Sequence, residues 1–331
     1  MRIIRVMEQR IIRLSCIVFL LFGIGIAAPM RAAEPSTRPA LPATRPAAAD
    51  SEKFLRFIDD GRHGGRLETA DVTYRNGRGV TVHLIAAVHI ADAAYYAGLA
   101  HTFEQFDPLL FEMVLPRGAK PPKPDPARSP RSTVGSIQKF LGDNLDLAYQ
   151  LDGIDYTKSN FVHADMDVET YEDLSEQRGE TPLTLAMRNM LANMNNPELL
   201  AEQPSMGEVL LALVAPDRAR RYKMILARQF GHIEASIAGL NGKNGTVILT
   251  ERNKTALKAL RQQIDAGKTN LALFYGAAHM PDLEEHLTKK MGFKKIKTEW
   301  RTAWDLTAPP TPTTRPTTRS TTLPAAAPPI E

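Results

Sequence analysis

Between residues 51 and 306 the chain alternates short, almost wholly apolar runs with stretches whose apolar positions recur every three or four residues. The first pattern is that of buried strands, the second that of amphipathic helices. Residues 70–74 and 80–85 flank Asn76-Gly77-Arg78-Gly79, whose glycines suit a tight turn, so residues 68–88 predict a β-hairpin. Beyond His89, Asp92 predicts an N-cap, and Tyr95, Leu99, Phe103 and Phe106 mark a helical stripe that ends at Asp107-Pro108. Residues 109–115 then read as a buried strand. A strand, helix, strand run with short joints is a βαβ unit, so the two strands should be parallel. Residues 133–240 are mostly helical in pattern and rich in methionine, which predicts adaptable core packing, with a short strand candidate at 161–165. The α/β pattern returns with a helix over 251–266, capped by Thr250 and stopped by Gly267. A strand over 270–276, a helix over 282–290 and a last strand over 295–306 follow. The fold class implied is α+β: a central mixed sheet with βαβ units, flanked by helices, with a helical insertion over about 133–240.

The ends of the chain read differently. Arg2, Arg5, Arg10 and Arg13 precede an apolar run over 14–28 and then small residues, the layout of an export signal over 1–33. The run is short for a bilayer span, which needs roughly 20 residues, so cleavage is favoured over retention as an anchor. The protein is therefore expected to be exported, to the periplasm or another extracytoplasmic space. Any membrane association would come only through an uncleaved N-terminal anchor. Residues 34–50 and 307–331 are rich in Pro, Ala and Thr and repeat Thr-Arg-Pro at 37–39, 44–46 and 314–316, so both read as disordered tethers. The formal charge of +4 changes the picture little, because residues 1–33 hold five Arg and one Glu, and the remainder is balanced. That balance gives no reason to expect a nucleic-acid partner. The one cysteine, Cys16, lies in the leader, so disulfides and cysteine metal ligands are excluded from the folded part.

Two apolar runs end alike: residues 82–88 lead to His89, and 271–278 lead to His279. Imidazoles at strand ends suit metal ligation or acid–base work, because rigid strands fix them and the turn keeps them reachable. Each is equally read, alone, as a strand cap bonded to a nearby carbonyl. Glu112, inside Leu109-Leu110-Phe111-Glu112-Met113-Val114-Leu115, is costly to bury unless paired, protonated or bound to a cation. It either joins the histidines or points outward to a nearby arginine. Arg252, followed by Asn253, stands at a helix start, where the dipole disfavours a cation, which suggests a carboxylate or carbonyl partner. Asp165 is a helix N-cap or part of a site shared with His163. A proline-rich loop over 116–132, with a net charge of +4, follows Glu112 and would attract anions or simply be solvated. No Gly-x-Ser-x-Gly elbow, phosphate-binding Gly-x-x-x-x-Gly-Lys-Ser/Thr loop, His-Glu-x-x-His helix or dinucleotide-binding strand–glycine–helix pattern occurs, which argues against the usual serine hydrolases, nucleotide enzymes and zincins.

Taken together, Leu110-Phe111-Glu112, Glu251-Arg252-Asn253 and Gly276-Ala277-Ala278-His279, with 161–177 as a middle motif, resemble the TraB/PrgY/GumN family. That family includes the TIKI proteases and sits in a wider group with erythromycin esterases and haem-binding ChaN proteins. The first histidine motif departs from the pattern: Ala86 stands where the family has glycine. The resemblance covers about 70–306. It implies a metal-dependent, metallopeptidase-like hydrolase of a peptide, ester or amide, acting on a peptide or small-molecule substrate. His89, His279 and Glu112 would bind a divalent ion (Mn, Co or Zn), Arg252 would stabilise an oxyanion, and Asp165 and Asn253 would contact substrate. A metal-free version would use His89 as general base. A protein that sequesters peptide or haem without catalysis, and an inert extracytoplasmic scaffold, are the other two readings.

Overall fold

The computed structural model describes residues 53–61, 64–125, 142, 145–194, 203–231, 241 and 244–307. The leader, the 34–50 tether, residues 126–132 of the basic loop, most of the C-terminal tail, His63 and His232 lie outside the described residues. Among the described residues no helix is long and apolar enough to cross a membrane.

The fold is α+β, a mixed seven-stranded sheet flanked by helices. Its antiparallel part is β1 (Leu55–Asp59), β2 (Gly65–Arg75) and β9 (Lys294–Asp305) with β3 (Thr81–Ala87). β9 runs along β2 over Arg66–Arg75, while β1 takes the first half of β2 and β3 the second. The β2–β3 hairpin forms as its sequence predicts. Asn76 closes the turn by accepting from the N–H groups of Arg78 and Val80, and Gly79 supplies a φ of +82°.

The parallel part is β3, β8 (Asn270–Gly276), β5 (Leu109–Phe111) and β7 (Phe161–His163), in that order across the sheet. β3 and β5 are parallel, as the βαβ pattern requires, but β8 lies between them. Its apolar run from Leu271 to Tyr275 is buried throughout, as befits a strand with no solvent face. β5 is shorter than its apolar sequence suggested. It stops at Phe111, so Glu112 stands just past its end rather than inside a strand.

Helix α1 (Ala93–Thr102) buries Tyr95, Tyr96 and Leu99, and Phe103 and Phe106 continue the stripe. Asp92 is at its N-terminus but makes no side-chain cap. Its carboxylate accepts instead from Asp305 N–H, tying α1 to β9. The single turn α2 (Gln150–Gly153) follows β6 (Ala148–Tyr149), which pairs with β4 (Ile90–Ala91) directly after His89. Helix α3 (Val168–Arg178) is capped by Asp167, which accepts from Thr170 N–H and so takes the role that Asp165 was offered. Arg117 of the basic loop pairs with Asp167 and gives its N–H to Glu169, so that cation is engaged in docking α3.

Helices α4 (Pro182–Met194), α5 (Met206–Val214) and α6 (Arg218–Gly231) form the described part of the insertion. The methionines were expected in the core: Met224 packs against it, but Met187 and Met206 are exposed, as are Leu183, Leu210 and Leu211. Helix α7 (Arg252–Asp265) is not capped by Thr250. A π-helical turn, Val247–Glu251, runs straight into it. Gly267 ends it as anticipated, with a φ of +87°. Helix α8 (Met280–Lys290) follows a 3₁₀ turn, Ala277–His279.

Candidate active site at the ends of the parallel strands

All four parallel strands deliver a chemical group just past their C-terminal ends, where open α/β sheets characteristically place ligands. β3 leads to His89, β8 to Gly276 and His279, β5 to Glu112, and β7 to Asp165. Arg252 and Asn253 reach the same place from the first turn of α7.

The centre is Glu112, whose side chain is 11% exposed. One carboxylate oxygen, Oε2, accepts from Gly276 N–H at 2.7 Å. The other, Oε1, accepts from Arg252 Nη2 at 2.7 Å and lies 3.4 Å from His279 Nε2. Its main chain is fixed too, since Glu112 N–H donates to Phe274 C=O. Arg252 is buried and forks onto Asp165, donating from Nε to Oδ1 at 3.0 Å and from Nη2 to Oδ2 at 2.5 Å. One guanidinium therefore bridges two carboxylates. Leaving either buried charge without its partner would cost on the order of several kcal/mol. Burial pushes the Glu112 carboxyl up, but His279, Arg252 and, more weakly, His89 outweigh it and hold the group well below the usual carboxylate range. Burial likewise works against the Arg252 charge, and Glu112 and Asp165 more than restore it.

Each histidine is held by a side-chain amide. Asn253 donates from Nδ2 to His279 C=O at 3.1 Å and to Asp282 Oδ2 at 2.7 Å, so its Oδ1 must accept from His279 Nδ1–H, 2.7 Å away. Nε2 of His279 then faces Glu112 Oε1 with no proton of its own in the neutral ring. On the other side, Gln150 donates from Nε2 to the Tyr156 hydroxyl at 2.7 Å, and its Oε1 lies 3.1 Å from His89 Nδ1. His89 itself is exposed. The backbone around it is pinned at successive carbonyls. Tyr95 donates to Ala86 C=O, Tyr96 to Val88 C=O, Gln150 N–H to His89 C=O, and the buried Trp304 indole to Ile90 C=O.

The convergence point is marked by Gly276. A Cβ on that residue would stand 3.3 Å from Glu112 Oε2, 3.8 Å from His279 Cδ2 and 3.9 Å from His89 Nε2. The missing methyl leaves an atom-sized space that all three groups border.

His89, Glu112, Arg252 and His279, selected from sequence as one site, thus come together. Asp165 and Asn253 join the cluster, but not at a substrate surface. Asp165 has no exposed side-chain area and Asn253 is fully buried, and their polar atoms are spent on Arg252, Met166 N–H, His279 and Asp282. Arg252, anticipated as an oxyanion donor, is committed to protein carboxylates. Nη1 has only a long 3.4 Å contact to Ile248 C=O. His163 does not share a site with Asp165, because its Nε2 is spent on Met113 C=O at 2.6 Å. Sequence reasoning missed Gln150, which lies in no recognisable motif.

A divalent ion was expected on His89, His279 and Glu112. Among the described residues no three His, Cys, Asp or Glu side chains are grouped to hold a metal ion. His279 and Glu112 offer two facing donors, but the cation already seated on Glu112 is the Arg252 guanidinium. This set does not form a complete metal site by itself, given that catalytic zinc ordinarily keeps three protein ligands.

Comparison with protein families finds no matching family model, and comparison with curated proteins and with solved structures finds no match.

Proposed function

We propose that this sheet edge is the active site of a hydrolase acting on an ester, amide or peptide carbonyl, with His89 as general base. The observation that carries it is the space over Gly276, bordered at once by the Nε2 of an exposed histidine and by an ionised, partly buried carboxylate. Water in that space gives a proton to His89 Nε2 while its oxygen attacks the carbonyl carbon. The proton then passes to the departing alcohol or amine as the carbon–oxygen or carbon–nitrogen bond breaks. Glu112, with His279 and Arg252 behind it, stabilises the positive charge that develops on His89 as it takes the proton. Arg252, Asp165 and Asn253 hold that arrangement in position. The resemblance to the TraB/PrgY/GumN family supports a hydrolase, and the export signal read in residues 1–33 supports placing the activity outside the cytoplasm.

The test is a screen of the purified protein against peptide and ester libraries, with and without added manganese, cobalt or zinc. Turnover that disappears in both His89→Ala and His279→Ala supports the proposal, and full activity in both variants rules the site out. Stoichiometric capture of peptide, or a Soret shift on haem titration without turnover, would favour the binding protein instead. A divalent ion held between His279 Nε2 and Glu112 Oε1 is the second reading, favoured by the two facing acceptors. Metal content of the native protein by mass spectrometry decides it.

A further inference from the structure

The two histidines of the site are supported in the same way, although the supports share no sequence pattern. Asn253 bonds both the Nδ1 and the carbonyl of His279 through its amide. Gln150 bonds both the Nδ1 of His89, through its side chain, and the carbonyl of His89, through its own N–H at 2.9 Å. Gln150 is 7% exposed and is itself anchored. Its Nε2 donates to the hydroxyl of Tyr156, which is 2% exposed and packs among Phe111, Phe161 and Phe274 beneath the sheet ends. Burial raises the Tyr156 pKa, so the hydroxyl stays neutral. The structure sets Nε2 of the amide on Tyr156 and Oε1 on the ring. A carbonyl oxygen accepts, so the proton of neutral His89 must be on Nδ1, and the lone pair is left on Nε2, the nitrogen nearest the space over Gly276.

We propose that Gln150 is a positioning residue that decides which nitrogen of His89 faces the site, with Tyr156 as its anchor in the core. An exposed imidazole without such a partner exchanges between its two tautomers, and only one of them is a base at the right atom. Holding the ring from outside the reacting centre is the usual way of fixing tautomer and orientation, and loss of such a partner typically costs about 10- to 100-fold in activity. The inference rests on the proposed function only for its kinetic consequence; the tautomer itself is a property of the free protein.

The experiment is a long-range ¹H–¹⁵N spectrum of ring-labelled protein at a pH where His89 is neutral, with the signal assigned through His89→Gln. The wild type should show a pyrrole-type Nδ1 and a pyridine-type Nε2. Gln150→Met, similar in length but without the amide, should turn this into the inverted or mixed pattern. Gln150→Glu, which keeps an acceptor on Nδ1, should restore the wild-type pattern. A wild type with its proton on Nε2, or a folded Gln150→Met with the proton still on Nδ1, overturns the proposal. Should Gln150→Met fail to fold, the wild type and Gln150→Glu still decide it, since the proton must be on Nδ1 in both. Where a substrate is found, Gln150→Met should lose about 10- to 100-fold in turnover and Gln150→Glu should keep most of it. Absence of any turnover would count against the hydrolase and leave the spectral result intact.

Discussion

His89 and His279 follow neighbouring parallel strands, and a side-chain amide lies at Nδ1 of each, yet one ring is exposed and the other is 4% exposed. The register explains the difference. Counted from the histidines, Ala86 matches Gly276, but across the sheet it is Ala87 that pairs with Gly276, and Ala86 pairs with Tyr275. The chain after β3 bends at His89 and goes on into β4, whereas the chain after β8 coils into a 3₁₀ turn that folds His279 inward. So Ala86 is not the structural counterpart of Gly276. It is fully buried, with its carbonyl bonded to Tyr95, while Gly276 is the position where a methyl would press on Glu112. Similar sequence endings therefore yield different parts: a buried partner for the carboxylate and a solvent-facing imidazole.

The strongest way to break this arrangement is Arg252→Met, which leaves Glu112 and Asp165 as neighbouring buried carboxylates. It should cost about 3–5 kcal/mol by chemical denaturation, far more than any change at His89. Next, His279→Ala removes a buried ring and orphans Asn253 Oδ1, for about 2–4 kcal/mol. His89→Ala should cost under about 1 kcal/mol, since its ring is exposed, while abolishing turnover. Equal losses of stability in the two histidine variants would erase the distinction drawn here. Smaller again is the contrast of the two small residues. Gly276→Ala should cost about 1–3 kcal/mol as the carboxylate gives way. Ala86→Gly should cost about 1 kcal/mol, from backbone entropy and a lost methyl. Of these two, Gly276→Ala alone should alter the Glu112 carboxyl signal.

Much of this was legible in the chain. The hairpin, the α1 stripe and the buried β8 announce themselves through local apolar periodicity, and His89 and His279 stand out at the ends of apolar runs, Glu112 inside one and Arg252 at a helix start. What was hidden is non-local. That β8 inserts between β3 and β5 depends on pairing across more than a hundred residues, which no window of sequence reports. Asp92 and Thr250 look like caps, but tertiary partners and a π-helical turn take them elsewhere. Asp165 and Asn253 were marked for the site, yet their burial beneath it could not be read from spacing. Gln150 left no trace at all, because a lone glutamine before a single helical turn resembles any surface residue.

The Glu112 carboxyl signal is also the most direct test, because it asks whether Glu112 senses both histidines. Its folded pKa is depressed below the ordinary 4.5, so the stability it contributes is full above about pH 4.5 and is lost only as pH falls through the lower folded value. A ¹³C carboxyl titration of Glu112 should therefore show no protonation near pH 4.5 in the wild type. In His279→Gln the midpoint should rise clearly, and in His89→Gln it should rise less. An ordinary midpoint in the wild type, or one that neither substitution moves, would mean that these three side chains do not share a site.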